Sequence, residues 1–480
     1  MPPQGQPQAA DLMTEQVQHR LDEDGVRSDE ERLVQAVQGG VFGGRGLEVA
    51  LPAEPGDLGH PPSDQVAGDA DAAAAAAALI ATQHTADDAV YGTLTQVAAK
   101  VAKGDLVLNV KDYGAIGDGA ANDTAAIQAA LDAVPVVGAV VWLPPGTYLV
   151  SALTITVNGT VLAGPGVGLA KLKASTAASD VVTIGSARSG CRIEGVAIIA
   201  SVTRTGGWYV VNDSDGFAID KFATNGAHGG IKTTGTTVTI SRGSMRDGIA
   251  SVGVAIQVDD GADVSIRDIV MDQAAQIAAG IRITSTSDTT IEDCNIIHSG
   301  SALHLAPASG ATISSVWASN SYFDTSVRGL YINATGNVVR AMFTGCWFSS
   351  ATSEGVRIVR NGTGTVQGAM FTGCHIFLNG TSGLVVGSTG CTDVRMVGCA
   401  VAGNTVDGVQ IAAGVTDFAV QDCRIGNSHG VGVNTHDGIL VNAGASAGYL
   451  ITGNDLRGNT TANLSDGGTG TKVVANNLTA

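Results

Sequence analysis

The chain has 480 residues, 26 Lys and Arg against 44 Asp and Glu, and a formal net charge of −18. Such acidity argues against nucleic acid or an anionic membrane as a main partner, because both are gripped by surplus basic side chains. The longest apolar run, 72–81, is mostly Ala and too short to cross a bilayer, so no membrane insertion is expected.

The N-terminus shows no basic stretch followed by an apolar core, so no secretory signal is read. Residues 12–38 are charged and helical in pattern, broken at Gly25. Residues 48–68 hold Pro52, Pro55, Pro61 and Pro62 and read as a linker. Residues 70–103 are Ala-rich, and Val90, Leu94, Val97 and Val101 fit a short a/d seam. That seam reads either as a trimeric neck or as a lone surface helix. Residues 1–104 therefore read as a helical, Pro-rich region separate from a domain at 105–480.

From Val107 to Val150 the pattern is strand, Gly-rich turn, helix, strand. Asn122 or Asp123 can cap the helix, and Ile127, Ala130, Leu131 and Val134 form its apolar stripe. A helix here can plug the open end of a coiled core.

Downstream, the hexapeptide AMFTGC occurs at Ala341 and again at Ala369, 28 residues later. It belongs to a longer series in which an apolar residue is followed three positions on by Cys. Cys294, Cys346, Cys374, Cys399 and Cys423 mark it, with Val196, Phe222, Gly243, Ile269, Ser321, Asn454 and Asn476 at equivalent places. The spacing averages about 25 residues, too short for a propeller blade of about 40. A second strand recurs in phase as Gly-apolar-x-apolar: GVAI from Gly253, GIRI from Gly280, ALHL from Ala302, GLYI from Gly329 and GVRI from Gly355. Asp293, Asn320, Gly345, Gly373, Gly398, Asp422 and Gly453 precede the Cys position, and these types tolerate a left-handed bend. Short alternating strands and one sharp bend per turn describe a parallel β-helix. The recurring cysteines then stack inside as free hydrophobic thiols. Seven cysteines with no CxxC or Cys/His spacing suggest neither a disulfide scaffold nor a metal site, and no cofactor is expected. The NGT and NAT sites at Asn158, Asn333, Asn361 and Asn379 are read as turns.

Asp112, Tyr113, Gly114, Ala115, Gly117, Asp118, Gly119, Asp123, Thr124, the run AIQAAL and LPPGTYLV together resemble the pectate-lyase-like superfamily of phage tailspikes, polysaccharide depolymerases and polygalacturonase relatives. The resemblance covers about 370 residues and implies an all-β fold. That fold is a right-handed single-stranded parallel β-helix of about twelve or more coils, with a short capping helix and a small helical N-terminal region. It also implies carbohydrate binding or cleavage, and for viral members a homotrimer at the tail. The polygalacturonase set of Asn-x-Asp, Asp-Asp, Gly-His-Gly and Arg-x-Lys is not reproduced in order.

A β-helix builds sites by stacking outward side chains from successive coils. The outward positions of the second repeating strand are Ala255, Arg282, His304, Tyr331, Arg357, Val385 and Gln410. Arg282, His304, Tyr331 and Arg357 are the candidate catalytic line. In a lyase, an Arg neutralises a uronate carboxylate and His304 or Tyr331 takes the proton. In a hydrolase, two carboxylates flank the bond, and Asp259 or Asp260 with Asp272 or Asp324 are the acidic alternatives. His298 and Glu354 lie in nearby loops. A second outward line places Tyr322, Trp347 and His375 side by side, as a sugar platform or a trimer interface. The expected role is a virion tail spike or fibre, assembled in host cytoplasm, that binds bacterial surface polysaccharide. Residues 1–104 would join other tail or baseplate proteins of a phage or a phage-derived injection system. The alternative is an active depolymerase of the same fold.

Overall fold

The computed structural model describes residues 106–479 apart from 247, 429 and 445. The expected N-terminal helix, linker and seam lie outside the described residues. The rest forms three parallel sheets, each contributing one short strand per coil.

The first sheet climbs from Val107–Asn109 to Lys472–Ala475 through fourteen parallel pairings. At about 4.8 Å per rung, these turns rise about 67 Å. After each of its strands the chain bends and enters the second sheet, which runs from Asp118–Asn122 to Arg424–Ile425. The third sheet, Leu153–Ile155 to Leu464–Gly468, closes the coil. The helix Thr124–Asp132 covers the first coil with Ile127, Ala130 and Leu131 buried, as the stripe requires. Asn122, not Asp123, accepts from the Thr124 amide. The Asp123 carboxylate instead takes the amides of Ile116 and Gly117 and locks the Gly-rich turn to the helix.

The bend is where backbone chemistry dictates sequence. Asp293, Asn320, Gly345, Gly373, Gly398, Asp422 and Gly453 all have φ between 48° and 73°. Residues that tolerate the left-handed region at low cost dominate there, with Lys221 and Arg242 at two earlier bends at φ 49° and 51°. The residue after each bend points inward. Cys294, Cys346, Cys374, Cys399 and Cys423 are buried and free, as are Cys191 and Cys391. One position in this inward series differs from the sequence reading. Asn476 itself takes the bend, at φ 59°. Its neighbour Asn477 therefore turns in and accepts from the Asn454 amide.

The interior is a set of vertical stacks. Phe323 lies on Phe348 with ring centroids 5.3 Å apart, and Phe343 on Phe371 at 5.0 Å. Both distances are close to the rung spacing, so each ring also packs on its own image one coil away. Fully buried Val, Ile and Phe side chains contribute about 1.5–3 kcal/mol each. A polar stack runs beside them. Asn379, Asn404 and Asn434 are each 0% exposed, and each carboxamide bonds the next, ending on Asn459. Thus Asn379, although in an NGT triplet, is an interior residue.

Candidate functional site: a ladder on the third sheet

Strict alternation builds the site. Ile281, Leu303, Leu330 and Val356 face the core, and so do Ile283, Leu305, Ile332 and Ile358. The residue between each pair must face outward: Arg282, His304, Tyr331 and Arg357. The register pairs Arg282 with His304, His304 with Tyr331, and Tyr331 with Arg357. The four predicted residues are therefore consecutive rungs of one ladder. Below them the register continues to Gln257 and Lys232. Ala255, expected as the outward rung before Arg282, is buried. Its strand is shifted by two residues, because Ile256 rather than Val254 aligns with Ile281.

The rungs touch. The His304 and Tyr331 rings stack with centroids 5.1 Å apart and 11° between planes. The Arg328 guanidinium lies 4.8 Å from the Tyr331 centroid, a cation–π contact. Arg328 also donates from Nε to Glu354 Oε2 at 2.8 Å, and Arg357 pairs with Glu354 Oε1. Ser353 Oγ donates to Glu354 Oε2 at 2.6 Å. Burial pushes the Glu354 carboxyl up. Hydrogen bonds from Ser353 and its own backbone, with Arg328 and Arg357, outweigh this and hold it below its ordinary value. It is an anion that orients two arginines. At the lower end Asp259 plays a matching part, accepting from Gln257 at 2.8 Å, pairing with Lys232 at 3.2 Å and bonding Thr284.

Two buried nitrogens on this face have no partner among the described residues, Arg282 Nε and His304 Nε2. Unsatisfied buried polar atoms are uncommon and mark where a ligand or water is expected. Burial, then the Arg282 and Arg328 charges, push His304 down to about 4. The imidazole is therefore neutral at pH 7 and can accept a proton. Arg282 is pushed down by burial, against the attraction of Asp259.

The acidic alternatives do not assemble around this ladder as one group. Asp259 belongs to it, whereas Asp260 accepts from Ser285 Oγ at 3.3 Å. Asp272 lies on the second sheet, its Oδ1 3.1 Å from His298 Nδ1, and Asp324 accepts from the Thr325 amide. A carboxyl pair overlooked in the sequence sits further up, beside the third sheet. Asp407 Oδ1 accepts from the Asp437 amide, and burial followed by the Asp437 charge raises the Asp407 carboxyl. Both residues precede the recurring Gly of the third-sheet strand, which is the signal that could have found them. The aromatic line on the second sheet is in register as expected. Trp347 lies 5.1 Å from Tyr322 and 5.5 Å from His375 between centroids. Trp317, 51% exposed on the first sheet, was not singled out by the sequence. The Met342 and Met370 rungs continue its line.

Comparison with known proteins bears on the fold. Residues 107–331 match the family described as rhamnogalacturonase A/epimerase, pectate lyase-like, and residues 279–478 match the right-handed β-helix region. The chain is 44% identical over 84 residues to mannuronan C5-epimerase AlgE6 of Azotobacter vinelandii, covering 16% of this chain and 10% of that protein. It therefore spans about a tenth of that relative's length. Among solved structures, tailspike protein 3 of bacteriophage CBA120 superposes with a TM-score of 0.57 at 15% identity, over 78% of this chain and 60% of the other. The Dettilon tailspike protein gives 0.50 at 14%, over 73% and 67%. At these identities the likeness is one of fold.

Proposed function

We propose, from the match of residues 107–331 to a pectate-lyase-like family and of residues 279–478 to the right-handed β-helix region, that this chain is the glycan-engaging body of a viral tail spike or tail fibre. It binds a bacterial surface polysaccharide along the third-sheet ladder. The observation that carries this reading is the row Arg282–His304–Tyr331–Arg357, with two buried nitrogens awaiting partners. A stacked His–Tyr pair offers flat surface to a sugar ring, and the arginines offer forked donors to hydroxyls or a carboxylate. The tailspike folds and the similarity to an enzyme named for mannuronan support a polysaccharide as the ligand. A homotrimer is part of the proposal, with Tyr322, Trp347 and His375 as a subunit contact or a sugar platform and residues 1–104 as the attachment to the particle. The virion tail is the corresponding location.

A second reading is favoured by one observation. A neutral His304 beside Arg282 has what a lyase needs, a base near a group that steadies a uronate carboxylate. The hydrolase variant has less support, because Asp259 and Glu354 are both engaged as anions and neither is arranged as a proton donor. Incubation with purified surface polysaccharide of a verified host separates the readings. The binding reading expects glycan retention without new reducing ends. Reducing ends with a rise in unsaturated-uronate absorbance would identify a lyase, and reducing ends alone a hydrolase. If cleavage appears, His304→Ala and Tyr331→Ala should each reduce it about 10²-fold or more. Neither retention nor cleavage would overturn the glycan reading.

A further inference from the structure

A second binding feature lies away from the ladder, on the sharp bend between the first and second sheets near the N-terminal end of the helix. Most bends there take about two residues, as at Gly195–Val196 between Arg192–Glu194 and Ala197–Ala200. One coil differs. Between Val161–Ala163 and Ala170–Ala174 the chain makes a longer loop, 164–169. Together with the bends above it, this loop shapes a groove of about 780 Å³. The groove crosses the rungs from Trp142 to Val270, about 24 Å at the coil spacing.

Its chemistry is unlike the rest of this acidic chain. Trp142, Pro165 and Val167 supply apolar surface, while Lys221, Arg242 and Arg246 face a single lining carboxylate, Glu194. Lys221 pairs with Glu194 at 2.9 Å, and Arg242 with Asp220, which is 2% exposed beneath the groove. Those pairs fix two of the cations in place. Arg246 is exposed and has no ion-pair partner among the described residues. The basic run ends at the next bend, where Asp268 follows Arg242. In a protein of net charge −18, a local surplus of positive charge next to an indole selects for an anionic ligand. Screening over about 8 Å in physiological salt lets the local charges outweigh the distant ones.

We propose that this groove is a second glycan site, taking a short stretch of an anionic oligosaccharide, with Trp142 against the sugar face and Arg246 on its acidic group. It shares with the proposed function only the class of ligand and uses none of the ladder residues. Two sites on different faces would let one spike hold a polysaccharide at two points, raising retention through effective concentration.

The test uses the full chain labelled with fluorotryptophan, whose four tryptophans give separate fluorine resonances, that of Trp142 assigned with Trp142→Phe. Titration with an oligouronate should shift the Trp142 resonance saturably. Arg246→Glu should weaken that response at least about tenfold, equivalent to about 1.4 kcal/mol, and Tyr331→Ala should leave it unchanged. A silent Trp142 with a ladder that still binds would overturn this inference and leave the proposed function standing. An equal Trp142 response to a neutral oligoglucoside would overturn the anionic assignment. Loss of the Trp142 response in Tyr331→Ala would show that the two faces are not separate sites.

Discussion

Glu354→Gln is the substitution that most directly probes how the ladder is held. The wild-type carboxylate is nearly buried and accepts from Arg328, Arg357 and Ser353 at once. Glutamine keeps the volume and one acceptor oxygen, but puts an NH₂ group against a guanidinium or the serine hydroxyl. At least one charge-assisted hydrogen bond is lost, about 1.5–3 kcal/mol. Because both arginines are partly exposed, at 26% and 34% of their side-chain surface, the lower half of that range applies. Local opening of this part of the third sheet should therefore become easier, and amide exchange in Arg328–Ala334 and Val356–Arg360 faster by about tenfold. Freed of their anchor, Arg328 would leave the Tyr331 ring and Arg357 would swing into solvent, so glycan retention should fall as well. The pH dependence has a definite sign. The folded carboxyl sits below its unfolded value, so its contribution is present above the unfolded pKa and lost as pH falls through the folded one. The variant should thus differ from wild type at pH 7 and converge with it in acid. Unchanged exchange and unchanged retention at pH 7 would refute the reasoning.

Other consequences are equally direct. The His304 imidazole should titrate with a midpoint near 4 by NMR, and a midpoint near 6.5 would contradict the burial described here. Because that pKa is depressed below the unfolded value, stability should fall as pH drops from about 6.5 towards 4, where the unfolded chain takes up the proton first. Asn404→Ala would leave the Asn379 backbone amide without its acceptor and remove one of the two donors to Asn434 Oδ1. It should cost about 2–5 kcal/mol by denaturation, whereas a loss under 1 kcal/mol would show that the asparagine stack is not cooperative. Asp407→Asn removes a carboxyl that burial and Asp437 disfavour as an anion, so it should raise the unfolding midpoint at pH 7. All seven thiols are buried, and they should resist a thiol reagent in the native protein and react fully in denaturant.

Much of this architecture was legible because one coil repeats one constraint. A bend that needs φ near 50–70° favours Gly, Asn or Asp, although Lys221 and Arg242 also take it, and the residue after it turns inward. Those demands recur about every 25 residues, so a single sequence displays them many times. The four central ladder rungs were legible for the same reason, since alternation between two buried neighbours fixes which side chain faces out. The errors came where two adjacent residues could satisfy the pattern equally well. Gly253 imitates the glycine that opens the other third-sheet strands, which moved that strand by two and hid Gln257 behind Ala255. The Asn476–Asn477 pair offered two candidates for one bend. Contacts between coils were harder still. The partnership of Glu354 with Arg357 is close in sequence, but its partner Arg328 lies a full coil earlier and becomes visible only once the register is known. The groove at Trp142 depends on a loop overhanging its neighbours, a property of shape that no residue pattern announces.

The central claim is that the outward row of the third sheet is the glycan-binding face. The most direct measurement is the affinity of the full chain for purified host polysaccharide, compared between wild type and Tyr331→Ala/Arg357→Ala. The account predicts a dissociation constant raised at least tenfold, with the fold intact by circular dichroism. An unchanged dissociation constant in that double variant would contradict it.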